Sequence, residues 1–202
     1  INEVLDFSKI ESGRMELETQ PLDVRESVEG ALDLLAPQAA NKRLELGYWI
    51  EDDVPSMIVG DATRLRQILV NLVANAVKFT EQGSVTLQVT SLRSTKGKVA
   101  VAFAVSDSGI GLTLSEIKRL FRPFSQANVS IASRFGGAGL GLSSVKQLAR
   151  AMGGDVTVTQ RRGGGATFTF NVVMLPAKDA VTAASGADGE VSFGSNRPLR
   201  LL

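Results

Sequence analysis

The segment that follows Asp61 has the clearest pattern of apolar and polar positions in the chain. Its apolar residues recur at the spacing of one face of an α-helix: Leu65, Ile68, Leu69, Leu72, Val73 and Ala76. Asp61 is a suitable N-cap, because its short side chain can accept a hydrogen bond from the first turn. The pattern predicts a helix that buries this face in the core.

Three other segments have helical periodicity. The first runs from Ile1 to about Met15 and begins as though within a helix. The second follows Asp23, and Pro37 is expected near its end. The third has an apolar face and ends at a pair of glycines, with the residues Val145, Leu148, Ala149, Met152, Gly153 and Gly154.

Strand patterns lie between these helices without a regular βαβ rhythm. Residues 44–50 and 57–59 form short apolar runs, residues 85–90 alternate strictly, and residues 99–105 are mostly apolar. Residues 155–160 and 167–173 flank a glycine-rich turn and are typical of a hairpin. We therefore expect an α/β two-layer sandwich, with a mixed, mostly antiparallel sheet and helices on one face.

The composition limits the partners and the kinds of chemistry that the chain can have. With 22 basic and 21 acidic residues among 202, the net charge of +1 favours neither nucleic acid nor an anionic membrane as a partner. The chain has no cysteine, which excludes thiolate chemistry, and no histidine, which removes the commonest general base and phosphoryl acceptor. No apolar run reaches the length of about 20 residues that crosses a bilayer. We expect a cytoplasmic segment without membrane contact, whose parent carries any membrane anchor elsewhere.

A polar stripe lies on the helix after Asp61. Asn71, Asn75 and Lys78 are spaced i, i+4 and i+7, apart from the apolar face. Amide oxygens are hard ligands and an ammonium group is a point charge for phosphate, so the three suit a magnesium–phosphate site. The alternative is an ordinary solvated helix face, which the stripe alone favours.

Asp107, Gly109 and Gly111 directly follow a buried strand. A carboxylate there can accept a hydrogen bond from the amino group of a base, and glycines let the backbone approach a ligand closely. A local turn explains this motif equally well when it is taken alone.

A second glycine-rich motif precedes the last helix and contains Gly137, Gly139, Leu140 and Gly141. Its free backbone N–H groups and the positive end of the helix dipole predict an anion cradle. The motif lacks the GK[ST] ending of a P-loop and the βαβ context of a dinucleotide fingerprint. By itself such a loop is more often a flexible joint.

The segment between the two glycine motifs contains Phe121, Phe124 and Arg134 and shows little periodicity. Long irregular segments inside a compact domain are usually functional lids or disordered. The two rings can also serve only to pin a loop, whereas Arg134 is suited to the charge of a terminal phosphate.

In order and content these motifs resemble the catalytic domain of sensor histidine kinases, within the ATPase superfamily of gyrase, Hsp90 and MutL. Residues 67–80 resemble the asparagine box of that family, 107–111 its first glycine box, 121–124 its phenylalanine box and 137–141 its second glycine box. Residues 2–13 resemble the last turns of its second dimerisation helix.

The resemblance implies a fold that binds ATP and Mg²⁺. Asp107 would hold the adenine amino group, Asn75 together with Asn71 would hold Mg²⁺, and Lys78 and Arg134 would contact phosphate. The remaining implied nucleotide-binding residues are Gly109, Gly111, Phe121, Phe124, Gly137, Gly139, Leu140 and Gly141.

Two positions bear on the activity that the resemblance implies. Gyrase-like members carry a water-activating glutamate where this chain has Asn71, and an amide cannot act as a general base. Transfer to a protein histidine is therefore favoured over ATP hydrolysis. Ala138 stands where the family usually has Thr or Ser, a loss of about 1 kcal/mol at most. Ala138 is the support for the alternative of a degenerate nucleotide-binding regulator, and a protein-serine kinase of the same superfamily is a further alternative.

The resemblance also implies a modular parent protein. Residues 1–18 are expected to end the second dimerisation helix, 19–175 to form the catalytic domain, 176–196 a flexible linker and 197–202 the start of a receiver domain. We expect a hybrid kinase whose partners are its own histidine-bearing dimerisation helix and a response regulator or receiver domain. This segment lacks the acceptor histidine, so it is expected to bind ATP without a phosphorylation site of its own.

Overall fold

The computed structural model describes residues 15–92, 98–121, 141–176 and 200–201, which form eight strands and five helices. The strands are β1 (Gln20–Asp23), β2 (Glu45–Ile50), β3 (Met57–Gly60), β4 (Ser84–Leu92), β5 (Val99–Asp107), β6 (Asp155–Gln160), β7 (Ala166–Pro176) and β8 (Arg200–Leu201). The helices are α1 (Val24–Asp33), α2 (Ala36–Asn41), α3 (Ala62–Phe79), α4 (Leu114–Ile117) and α5 (Gly141–Ala151).

The strands form one mixed sheet in the order β1-β3-β7-β5-β4-β2-β8, with β6 paired to β7. The pair β2–β4 is parallel, and the other strand pairs in the described part of the chain are antiparallel. One edge of the long strand β7 pairs with β5, and the other edge is shared by β6 and β3. The predicted mixed, mostly antiparallel sheet is confirmed.

One face of the sheet is buried beneath the helices. Its side chains include Val85, Leu87, Val89, Val101, Phe103, Val105, Phe168, Phe170 and Val172. The rings of Phe103 and Phe170, which are register partners on β5 and β7, stack with centroids 4.9 Å apart. The alternate residues, such as Thr86, Gln88 and Thr169, are partly exposed on the other face. This alternation is what a sheet with helices on one face requires.

Helix α3 crosses the centre of this layer and packs against α1 and α5. The apolar face predicted from its periodicity is buried over its whole length, from Leu65 to Val77. The side chain of Asp61 accepts a hydrogen bond from the backbone N–H of Arg64 at 2.9 Å, which confirms the predicted N-cap. This helix therefore fixes the polar residues on its remaining face relative to the sheet.

Two predictions of local structure are corrected. Pro37 does not lie near the end of the helix after Asp23, because α1 ends at Asp33 and Pro37 lies in the first turn of α2. A proline fits there because its fixed φ suits a first turn, where no N–H partner is needed. The irregular stretch after Asp107 contains the short helix α4, which begins at a capping box formed by Thr113 and Glu116.

The predictions for residues 1–14, for the phenylalanine and second glycine boxes beyond Phe121, and for the linker after Pro176 fall outside the described ranges. Among the helices of the described ranges, none is long and apolar enough to cross a membrane.

Candidate functional site

Three sequence motifs meet at one end of the sheet, and α3 contacts the other two. The backbone at Gly141, where α5 begins, approaches Asn71 on α3. The backbone at Gly109, just after β5, approaches Phe79 and Thr80 at the end of α3. The structure thus brings together the asparagine stripe, the carboxylate motif and the start of the last helix, as one site requires.

Asn71 and Asn75 form a hydrogen-bonded amide pair. Nδ2 of Asn75 donates to Oδ1 of Asn71 over 3.0 Å, across one turn of α3. Because its Nδ2 is engaged, Asn75 retains Oδ1 as an oxygen ligand, which is the donor type that Mg²⁺ prefers. This pair fits the predicted magnesium position.

Gly141 lies directly against this pair. A Cβ atom at residue 141 would be 2.7 Å from Nδ2 and 3.1 Å from Oδ1 of Asn71, so a side chain there would displace the amide. Gly141 is also the first residue of an 11-residue helix, whose positive dipole end favours an anion. The amide pair and the start of this helix therefore border the same part of the site.

Lys78 lies three residues beyond Asn75 on α3, near the C-terminal end of the helix. Its ammonium nitrogen is 5.3 Å from the ring centroid of Phe79, a cation–π contact that keeps the side chain beside the site. The stripe predicted from spacing is therefore present as one face of α3.

Asp107 ends β5 with its side chain buried, only 5% exposed. Its Oδ1 accepts hydrogen bonds from the backbone N–H of Gly109 at 2.9 Å and of Ala166 at 3.3 Å. Burial raises the pKa of this carboxyl, although the two N–H groups and the charge of Arg161 act in the opposite direction. Within the described ranges both hydrogen bonds to the carboxylate fall on Oδ1, so Oδ2 is the atom available to a ligand's amino group.

The loop after Asp107 lies against the end of α3. A Cβ atom at residue 109 would be 2.4 Å from the carbonyl oxygen of Phe79, which explains the need for Gly109. The N–H of Ile110 donates to the same carbonyl over 3.4 Å. Gly111 adopts a positive φ of 71° and lies beside Gly165. These contacts join the carboxylate motif to the asparagine helix.

The turn between β6 and β7 also contacts Asp107, a contact that was not predicted from the sequence. Nη1 of Arg161 donates to the carbonyl oxygen of Asp107 over 2.8 Å. A Cβ atom at residue 165 would lie 2.0 Å from that same carbonyl oxygen, and Ala166 donates to the carboxylate. The register that pairs Ser106 with Thr167 places this turn beside Asp107. Of the three glycines in this turn, Gly165 is the one that makes a close backbone approach, since no atom of the described residues lies within 4 Å of the Cβ position of Gly163.

Phe121, the last described residue before α5, is partly buried against the core. The ammonium nitrogen of Lys146 on α5 is 5.0 Å from its ring centroid. Phe121 thus contacts the helix that begins at Gly141. The predicted site residues Phe124, Arg134, Gly137, Gly139 and Leu140 are not among the described residues, and their roles stay predictions.

Comparison with known proteins identifies the family of this chain. Residues 60–176 match the family of histidine kinase-, DNA gyrase B-, and HSP90-like ATPases. Because the match covers more than half of the chain, the chain belongs to this ATPase family. Membership implies that this domain binds ATP.

Individual relatives narrow the class to histidine kinases. The chain is 42% identical over 172 residues to the signal transduction histidine-protein kinase BarA of Escherichia coli (strain K12), covering 85% of this chain and 19% of BarA. It is 40% identical over 179 residues to the sensor histidine kinase GacS of Pseudomonas protegens, covering 89% of this chain and 20% of GacS. The chain thus corresponds to the ATP-binding catalytic module of a two-component kinase and spans about a fifth of these relatives.

Two solved structures are similar to this chain in fold. The crystal structure of full-length ShkA in complex with AMPPNP has a TM-score of 0.74 at 36% identity, covering 87% of this chain and 35% of that one. The nucleotide-free catalytic domain of histidine kinase ThkA has a TM-score of 0.63 at 23% identity, covering 80% of this chain and 98% of that one. The second likeness shows the fold alone.

Proposed function

We propose that this chain binds Mg–ATP and transfers the γ-phosphoryl group to a histidine on a dimerisation helix of its parent kinase. The observation that carries the proposal is the Asn71–Asn75 amide pair held against Gly141 at the start of α5. It combines oxygen ligands for a metal with a helix N-terminus for phosphate, and it contains no general base.

The adenine end of the nucleotide is assigned to Asp107. Its Oδ2 would accept a hydrogen bond from the exocyclic amino group, while the bonds from Gly109 and Ala166 to Oδ1 orient the carboxylate. Arg161 holds the main chain of Asp107 in place. Because these two hydrogen bonds fix the carboxylate, Oδ2 would select a base that presents an amino group. This favours an amino-bearing purine.

The phosphate end is assigned to α3 and α5. Asn75, oriented by Asn71, would hold Mg²⁺, which neutralises charge on the phosphates when bound. Lys78 would supply a positive charge, and the N–H groups at the start of α5 would donate hydrogen bonds to a phosphate oxygen. Gly137, Gly139, Leu140, Phe124 and Arg134 remain predicted contributors to the cradle and the lid.

The reaction class follows from Asn71. In phosphoryl transfer a nucleophile forms a bond to the γ-phosphorus while the bond to the β–γ bridging oxygen breaks and ADP leaves. The protein contributes mainly positioning and charge stabilisation. Neither Asn71 nor Asn75 can remove a proton from water, whereas an imidazole nitrogen is a nucleophile without such help. ATP hydrolysis by this chain is therefore expected to be slow.

The partners follow from the modular parent. The acceptor histidine must come from another segment, because the chain contains no histidine. We propose that the parent is a hybrid kinase working in the cytoplasm, where ATP is available, and that a receiver domain or response regulator takes the phosphoryl group next.

A reconstitution experiment tests the proposal. The chain is mixed with Mg²⁺, ATP labelled at the γ-phosphate, and a separately produced dimerisation domain of the parent that carries the acceptor histidine. We expect label on that domain that is stable in base and labile in acid. The controls are a domain with the histidine changed to glutamine and a chain carrying Asp107→Asn.

The other outcomes separate the alternatives. Absence of nucleotide binding would indicate a degenerate regulator, and rapid phosphate release without the acceptor domain would indicate an ATPase. Acid-stable label would indicate a protein-serine kinase. Each of these results would refute the proposal.

A further inference from the structure

The side chain of Lys42 reaches the C-terminal end of α3 from the turn after α2. Its Nζ donates to the carbonyl oxygens of Val77 at 2.7 Å, Lys78 at 2.9 Å and Thr80 at 3.1 Å. An ammonium group has three N–H donors, so all of them are matched by acceptors. Lys42 belongs to none of the four nucleotide-binding motifs.

These contacts complete the hydrogen bonding of the end of α3. The last turn of a helix leaves carbonyl groups without intrahelical partners, and they carry the negative end of the helix dipole. The carbonyl of Ala76 accepts from the N–H and the hydroxyl of Thr80, and that of Phe79 accepts from the N–H of Ile110. The carbonyls that remain in this turn accept from Lys42. A single cation thus binds three carbonyl oxygens at the negative end of the helix dipole.

The turn that carries Lys42 has a defined and strained backbone. The N–H of Arg43 donates to Ala40 over 2.9 Å and that of Leu44 donates to Ala39 over 3.0 Å, which is the Schellman pattern of a helix end. Arg43 occupies the left-handed position with a φ of 56°, where glycine is usual. The direction in which the chain leaves α2 is therefore fixed next to Lys42.

The end of α3 connects Lys42 with the nucleotide site. Lys78, the candidate phosphate contact, has its own carbonyl oxygen held by Lys42. The carbonyl of Phe79 lies between the oxygens that Lys42 binds. It accepts a hydrogen bond from the N–H of Ile110 and lies against Gly109, and both residues belong to the Asp107–Gly111 loop. Without Lys42 the last turn of α3 would lose these three hydrogen bonds and would be freer to rearrange against this loop.

We propose that Lys42 is a positioning residue for nucleotide binding. Lys42 fixes the last turn of α3. This turn positions the side chain of Lys78 and contacts the Asp107–Gly111 loop. This inference rests on the proposed function, because it takes Mg–ATP as the ligand of the site.

The test compares Lys42→Met with Lys98→Met. Both variants remove one lysine charge, but Lys98 is exposed just before β5, at the end of that strand opposite Asp107. The Kd for Mg–AMPPNP is measured by calorimetry, and amide shifts of the nucleotide-free chain are measured by NMR. For Lys42→Met we expect affinity weakened by about 5- to 30-fold and shifted amides at Lys78, Gly109 and Gly111. For Lys98→Met we expect neither change, and Lys42→Arg should recover part of the affinity.

Each result has a distinct meaning. Failure of the unmodified chain to bind Mg–AMPPNP would refute the proposed function itself. Equal affinities for the unmodified chain and Lys42→Met, with unchanged amides at Gly109 and Gly111, would refute the role of Lys42 alone. If Lys42→Met does not fold, Lys42→Gln replaces it, because its shorter side chain has no charge and only two N–H donors, so it cannot make the three hydrogen bonds of Lys42. Binding by Lys42→Gln at the affinity of the unmodified chain would likewise overturn the proposal.

Discussion

Nδ2 of Asn75 donates to Oδ1 of Asn71 over 3.0 Å, so the orientation of one amide depends on the other. If Asn75 is the metal ligand, replacing it with alanine should cost more Mg–ATP affinity than replacing Asn71. The double variant should lose less than the sum, by a coupling energy of about 0.5–1.5 kcal/mol, because the hydrogen bond can be lost only once. Calorimetric titration of the four chains measures this cycle.

Gln88→Ala serves as a control for that cycle, since Gln88 lies on the sheet face that the helices leave open. Its affinity for Mg–ATP should equal that of the unmodified chain. Strictly additive losses for Asn71 and Asn75 would mean that the hydrogen bond does not orient the metal ligand.

Gly141→Ala tests the close approach of α5 to the amide pair. The new methyl group would lie 2.7 Å from Nδ2 of Asn71, so the Asn71 side chain must move and its bond to Asn75 should break. We expect Mg–ATP affinity to fall while the melting temperature changes little, because alanine is a better helix former than glycine by about 1 kcal/mol.

Gly30→Ala is the matched control for Gly141→Ala. Gly30 also lies in a helix, and a Cβ there would be 3.2 Å from the guanidinium group of Arg66, the far end of a flexible side chain. This variant should bind Mg–ATP normally. Normal binding by Gly141→Ala as well would show that the site does not need the close approach.

Much of the fold was predictable because the spacing of apolar residues along a helix or strand indicates which of its faces is buried. The buried face of α3 matches the apolar spacing after Asp61, and the hairpin of β6 and β7 matches its glycine-rich turn. The prediction for Pro37 was wrong because a proline can follow the end of one helix or stand in the first turn of the next. The local sequence does not distinguish these two positions.

The parts of the site that were not predicted depend on contacts between distant residues. Arg161 and Asp107 are 54 positions apart and meet only because β7 pairs with β5. Lys42 reaches the end of α3, whose residue Lys78 is 36 positions away. Local patterns do not encode such pairs, whereas Asn71, Asn75 and Lys78 lie on one helix face and could be grouped by spacing alone.

Asp107→Asn should raise the stability of the nucleotide-free chain and weaken its binding of Mg–ATP. Burial raises the pKa of Asp107, so the folded state holds a proton there more readily than the unfolded state does. Ionisation of Asp107 therefore costs folding free energy as the pH rises through its folded pKa. The nucleotide-free Asp107→Asn chain should be more stable than the unmodified chain at pH 7. This advantage should vanish at pH values below 3.8, the ordinary aspartate value, where the carboxyl is protonated in both states.

The same variant should bind Mg–ATP about 10- to 150-fold more weakly, as expected for loss of a charge-assisted hydrogen bond of about 1.5–3 kcal/mol. Thermal unfolding across pH and calorimetry measure the two effects. Asp155→Asn is the contrasting control, because the pKa of Asp155, whose carboxylate pairs with Arg150, is lowered. A loss of stability in nucleotide-free Asp107→Asn at pH 7 would contradict the assignment of burial as the dominant influence.

Arg43→Gly should stabilise the chain. Arg43 holds a left-handed backbone with a φ of 56° at the end of α2, a conformation that costs a side-chain-bearing residue about 1–2 kcal/mol and that glycine adopts freely. Since glycine also gains entropy in the unfolded chain, we expect a net gain of about 0.5–1 kcal/mol. Urea unfolding with an unchanged m-value measures it. Asn41→Gly, two residues earlier and within the right-handed helix, should instead lose stability. If Arg43→Gly also loses stability, the side chain of Arg43 must contribute more to stability than its backbone strain costs.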